Sequence, residues 1–159
     1  MPTTFRRARR ALTAVAAMAM VMAVVAPVGA AAPRSLTLVS TTIFNDDGFN
    51  YGSFTASGAA VDDGLVCASG TFVDTGILFA GYQSDKGVQI QVDKTYTCPG
   101  GSFFVKMQIH AGADGSEWFT WVAQGGTGAY ASLRGSGSGT TVPNPPTGNI
   151  NTFLGFLVR

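Results

Sequence analysis

The sequence predicts an all-β fold: one antiparallel barrel of roughly eight strands behind an N-terminal signal peptide. Three observations point there. Beyond Pro33 no stretch repeats its apolar residues with helical period. Short runs rich in Thr, Val, Phe and Tyr recur between clusters of Gly, Asp and Asn, the pattern of strands joined by turns. The best-defined runs alternate apolar and polar residues, so one face packs on a core and the other meets solvent.

The first thirty residues read as an export signal. Arg6, Arg7, Arg9 and Arg10 form a basic head, an uncharged apolar run follows from Ala11 to Ala26, and Val28-Gly29-Ala30 offers small residues for cleavage after Ala30. The run is short and Ala-rich, whereas a bilayer span takes roughly 20 apolar residues. The expectation is therefore a secreted, extracellular chain with no membrane attachment after cleavage. The arginine pairs leave the choice between general and twin-arginine export open.

Residues 31–159 then form a single domain, long enough for a real core. Four of the ten basic residues and none of the nine acidic ones lie in the signal, so the domain carries six against nine, a net charge near −3. Its basic residues are scattered, with no stripe to hold a phosphate backbone, which argues against nucleic acid as a partner. Cys67 and Cys98 form an even pair in an oxidising compartment and read as one disulfide. Closing a loop of roughly 30 residues contributes on the order of 3 kcal/mol. One His and two distant Cys make no metal-ligand set, so neither a metal nor a cofactor is expected.

Strands are expected over 36–44, 51–58, 65–73, 77–83, 88–98, 103–111, 118–124, 132–142 and 151–158. Asn45-Asp46-Asp47-Gly48, Asp62-Asp63-Gly64, Asp85-Lys86-Gly87, Pro99-Gly100-Gly101 and Asp114-Gly115 supply turns. Val88, Ile90 and Val92 share one face, as do Phe103, Val105, Met107 and Ile109. Around Asp114-Gly115 a loop with an odd number of residues sets Ile109 against Phe119 and Met107 against Trp121, keeping one face apolar. His110 and Trp118 then become neighbours on the outer face near one end of the barrel. Pro143-Asn144-Pro145-Pro146 cannot sustain a hydrogen-bond ladder and reads as a protruding loop.

From Gln124 the chain reads Gln-Gly-Gly-Thr-Gly-Ala-Tyr-Ala-Ser-Leu-Arg-Gly-Ser-Gly, ending at Gly137. A Gly-Gly-Thr-Gly turn, an aromatic at Tyr130, then Arg134-Gly135 and a small-residue strand resemble the allene oxide cyclase and dirigent-like barrel superfamily. The resemblance implies an eight-stranded antiparallel barrel. It also implies steering of a reactive intermediate, a fatty-acid epoxide in the cyclases or phenoxy radicals in the dirigent proteins, with acidic residues assisting. The cyclases place a glutamate on the first strand; here Ser40–Asp47 holds none, and Glu117 stands at a hairpin tip. On its own the glycine-rich turn reads as backbone with positive φ at Gly125, Gly126 and Gly128, with Tyr130 free to plug the barrel end.

Candidate site residues follow from both readings. Tyr51, Tyr82, Tyr96, Tyr130, Trp118 and Trp121 could line a pocket for a flat apolar ligand, and Arg134 could stand at its rim. Tyr51, Trp121, Tyr130 and Arg134 are the chosen ligand-binding set. Asp46 and Asp47 are weak candidates for catalysis, read first as turn residues. No nucleophile elbow accompanies Ser136 or Ser138, and His110 is read as a surface residue. The leading expectation is a non-catalytic barrel binding a small apolar or aromatic molecule. A cyclase-like or dirigent-like enzyme, with a carboxylate inside the barrel, is the alternative. A protein-binding or inhibitor module presenting the Pro143–Pro146 loop is the third reading. Homo-oligomerisation stays open.

Overall fold

The structure, a computed structural model, describes residues 31–46, 48–83 and 87–159. The segment read as a signal peptide lies outside the described residues. Eight strands form a closed antiparallel barrel, each paired with its neighbour in sequence and the last with the first. They are β1 (Arg34–Ile43), β2 (Tyr51–Ser57), β3 (Ser69–Gln83), β4 (Gly87–Cys98), β5 (Gly101–Ala111), β6 (Glu117–Gly126), β7 (Arg134–Asn144) and β8 (Gly148–Val158). Closure satisfies the edges that an open sheet would expose. The β5–β6 register is the one the alternation demands, with Met107 opposite Trp121 and Ile109 opposite Phe119.

Three expectations are corrected. The segments expected over 65–73 and 77–83 give one strand, β3, which starts only at Ser69 and runs through Asp74-Thr75-Gly76, the gap between them, by a bulge. The bulge adds a residue and so reverses the inward parity: Phe72 and Asp74 point inward before it, Ile77 and Phe79 after it. A single helical turn, α1 (Ala59–Asp62), precedes β3, too short for a 3.6-residue period to show in the sequence. At Pro143 the ladder continues, with Pro143 opposite Asn149 and Asn144 opposite Gly148, so the hairpin ends in a tight turn at 145–147 and not in a protruding loop. At the barrel rim a missing N–H donor is tolerated.

The two ends differ. The start of β1, the end of β8, α1 and a 3₁₀ turn at Gly128–Tyr130 lie at one end and close it. Tyr130 is buried, donates its hydroxyl hydrogen bond to the Pro99 carbonyl at 3.2 Å and packs on Phe103. Gly125 and Gly128 take positive φ in this turn; Gly126 does not, and there the demand is space, since a side chain would strike the Ser102 carbonyl. Above the plug, Tyr96 stacks on Phe103 at 4.9 Å and Phe54 meets Tyr96 edge-on at 5.2 Å. Phe119 and Trp121 fill the opposite side because β7 offers them glycines: a Cβ at Gly137 would stand 2.8 Å from Trp121 Nε1, and one at Gly139 would overlap the Phe119 ring. The Gly-Ser-Gly-Ser-Gly run is thus a strand whose inward positions are empty so that the neighbouring strand can be aromatic. The Cys67–Cys98 disulfide, with Cα atoms 5.9 Å apart, pins the loop before β3 to the end of β4 at this closed end.

Candidate functional site

At the other end the interior is open. The β3–β4 hairpin is longer than its neighbours, and its inward side chains rise as an apolar wall: Ile77 and Phe79 from β3, Ile90 and Val92 from β4. Met107 and Ile109 continue the wall on β5, while Thr42, Asn50, Asn149 and Asn151 face it from β1, the β1–β2 loop and β8. Between them is a cavity of about 270 Å³ with Glu117 and Phe44 at its margin. The aromatic half below it holds a void of only about 10 Å³. The barrel is filled at one end and hollow at the other.

The floor is ionic. Lys94 and Asp74 stand opposite each other on β4 and β3, with side chains 4% and 2% exposed and Nζ to Oδ1 at 2.5 Å. Asn50 Nδ2 donates to the other Asp74 oxygen at 3.1 Å, and the Asp74 backbone N–H donates to the Asn50 carbonyl. Lys94 Nζ also lies over the Phe72 ring, 4.4 Å from its centre. Burial holds the Lys94 ammonium below the usual lysine range, and the charge and hydrogen bond of Asp74 push back. Beside this pair Asn151 donates to Thr42 Oγ1 and Asn149 Oδ1 and accepts from Thr141, tying β8 to β1 and β7. Deeper still, Ser40 Oγ and Tyr96 Oη are buried with no hydrogen-bond partner among the described residues. Burial raises the Tyr96 phenol above its ordinary range; the nearby Ser40 hydroxyl opposes this, and the Asp74 charge adds to it.

The residues chosen from the sequence are dispersed over the molecule. Trp121 is buried in the aromatic half, its Nε1 donating to the Ser138 carbonyl at 3.3 Å. Tyr130 belongs to the plug. Arg134 lies at the closed end, donating to the Leu133 carbonyl at 2.7 Å. Tyr51 stands on the outer face, 48% exposed, and Asp46 in the exposed β1–β2 loop. None of these five lines the open cavity. Tyr96 is core, and Trp118 stacks on His110 at 4.1 Å on the outside of the rim, where the alternation puts both. Asp47 and the Tyr82 side chain lie outside the described residues.

Sequence reasoning missed Asp74 and Lys94. A signal for Lys94 exists: it shares parity with Val88, Ile90, Val92 and Tyr96, so a barrel strand must turn it inward. Asp74 fell in the gap between two expected strands. A second, wider recess of about 310 Å³ runs along the outer face past Phe104, Gln124 and the exposed Asp93–Lys106 pair, whose charges are 3.9 Å apart. Being open and polar, it lacks the enclosure that favours small-molecule capture. No protein-family model, curated protein or solved structure matches the chain, so the geometry carries the argument by itself.

Proposed function

We propose that the chain is an exported binding protein that takes a small, largely apolar molecule into the open half of its barrel. One observation carries this reading: the cavity of about 270 Å³, with an apolar wall standing over a buried and fixed polar floor. Small-molecule sites have this composition, a mostly apolar surface with a few polar groups that set orientation. The filled half below supplies rigidity, since its stacked aromatics leave the floor residues few alternative positions. Export is supported by the basic-then-apolar leader and by the Cys67–Cys98 bridge, which persists in oxidising compartments.

Asp74 favours a second reading. The cyclase-like and dirigent-like resemblance calls for a carboxylate inside the barrel, and Asp74 is one, bordering the cavity. In that reading the ligand is a reactive intermediate and the apolar wall selects its folded conformation. Native mass spectrometry of the protein purified from culture medium separates occupancy from emptiness. The expected result is a retained small-molecule adduct that disappears in Ile90→Trp, whose indole fills the cavity. An adduct-free mass for the wild type, or an adduct unaffected by Ile90→Trp, would sink the proposal. Chemical conversion of the adduct on incubation would select the enzymatic reading.

A further inference from the structure

The bonding state of the cavity floor narrows the ligand class, an inference that rests on the binding function proposed above. Each amide and carboxylate acceptor of the floor already holds a bond. Asp74 takes Lys94 on one oxygen and Asn50 on the other; Asn50 Oδ1 takes the Asn45 N–H; Asn149 Oδ1 takes Asn151; Asn151 Oδ1 takes Thr141. Donor protons are also left over. Lys94 has three protons, of which Asp74 takes one and the Phe72 ring face a second. Asn50 Nδ2 has one proton in use and one without a partner, and neither proton of Asn149 Nδ2 meets an acceptor among the described residues. Four N–H protons therefore border the cavity with no acceptor among the described residues, and each can be given to a ligand acceptor.

The charge of the site decides which kind of acceptor. Lys94 is neutralised by Asp74, and Glu117 at the margin forms no ion pair among the described residues, so the described lining carries one net negative charge. A carboxylate head would meet that excess in a half-buried setting, where charges are poorly screened. A neutral carbonyl offers two lone pairs and no charge. We infer that the cavity of this barrel is selective for neutral carbonyl compounds, such as ketones, enones or lactones on an apolar body, over carboxylic acids and alcohols of the same size.

At about 30 Å³ for a water-sized group, the cavity accepts a molecule of about nine non-hydrogen atoms. Octan-2-one, octan-2-ol and octanoate share one apolar body and differ in the head, so NMR titration of the intact domain with each at pH 7 isolates the head. The expected order is octan-2-one tightest, about threefold over octan-2-ol and about tenfold over octanoate. Asn149→Asp keeps the oxygen that Asn151 uses and removes two free donors, and should weaken octan-2-one about fivefold. Lys94→Met combined with Asp74→Leu removes the ion pair as a unit, and should abolish the preference while leaving apolar binding in place. If octanoate or octan-2-ol binds as tightly as octan-2-one, or if Asn149→Asp leaves octan-2-one binding unchanged, the carbonyl assignment is wrong and the binding site stands. If none of the three binds, the binding function falls and the assignment with it.

Discussion

The two halves of this barrel are made from the same eight strands and solve opposite problems. Toward the closed end, inward positions alternate large aromatics with glycine, and nearly all space is consumed. Toward the open end, inward positions are aliphatic on one side and amide, hydroxyl or ionic on the other, and space remains. The lower half gains stability from contact. The upper half spends some of it by burying an ion pair whose desolvation offsets much of its attraction. A strand can therefore be structural at one end and functional at the other: β4 supplies Tyr96 to the core and Lys94, Val92 and Ile90 to the site.

The sharpest way to break this contrast is to truncate one aromatic in each half. Phe153→Ala removes a fully packed ring that contacts Phe119 and Tyr96, and should cost about 4 kcal/mol in denaturant unfolding. Phe79→Ala removes a ring that is 70% exposed and should cost less than about 1 kcal/mol. Equal losses would mean that the open half is as tightly packed as the closed one. Next in size is the ion pair. Lys94→Met alone strands a buried Asp74 carboxylate and should destabilise by about 3 kcal/mol, whereas Lys94→Met with Asp74→Leu should recover most of that loss. A double variant no better than the single would show the charges to be structural rather than retained for the cavity.

The smallest effect sits at the boundary between the halves, where Tyr96 Oη is buried without a partner. Tyr96→Phe removes an unsatisfied hydroxyl at constant shape and should be neutral or stabilising by up to about 1 kcal/mol at pH 7. The folded-state phenol ionises above its unfolded value, so its contribution is complete below about pH 10 and is lost as pH rises beyond that. Unfolding curves from pH 9 to 12 should therefore fall less steeply for Tyr96→Phe than for the wild type. Parallel curves would remove Tyr96 from the account of alkaline stability.

Much of the fold could be read from the chain because alternation reports directly on a buried face. Met107, Ile109, Phe119 and Trp121 define their own register, and His110 and Trp118 follow. The site was less legible, for two physical reasons. The bulge at Asp74-Thr75-Gly76 uses the residue types of a turn, so a carboxylate on the inner surface passed for one in a loop. Aromatic side chains also suggest pockets but here mostly fill space, as with Trp121 and Tyr130, while the hollow was left by Ile, Asn and Thr, which carry no such signature. The Cys67–Cys98 bridge was readable because two cysteines allow a single pairing within the chain.

The sequential strand order has a consequence for how the barrel is assembled. Seven of the eight ladders join strands adjacent in the chain and can zip from their own turns, whereas the β1–β8 ladder joins residues more than a hundred positions apart. That seam is the slow contact by its loop-closure entropy. Until it forms, the chain is a curled sheet with two bare edges, one of them carrying Leu154 and Phe156 on its outer face. The interval before the seam closes is when the molecule is most open to joining another copy of itself edge to edge.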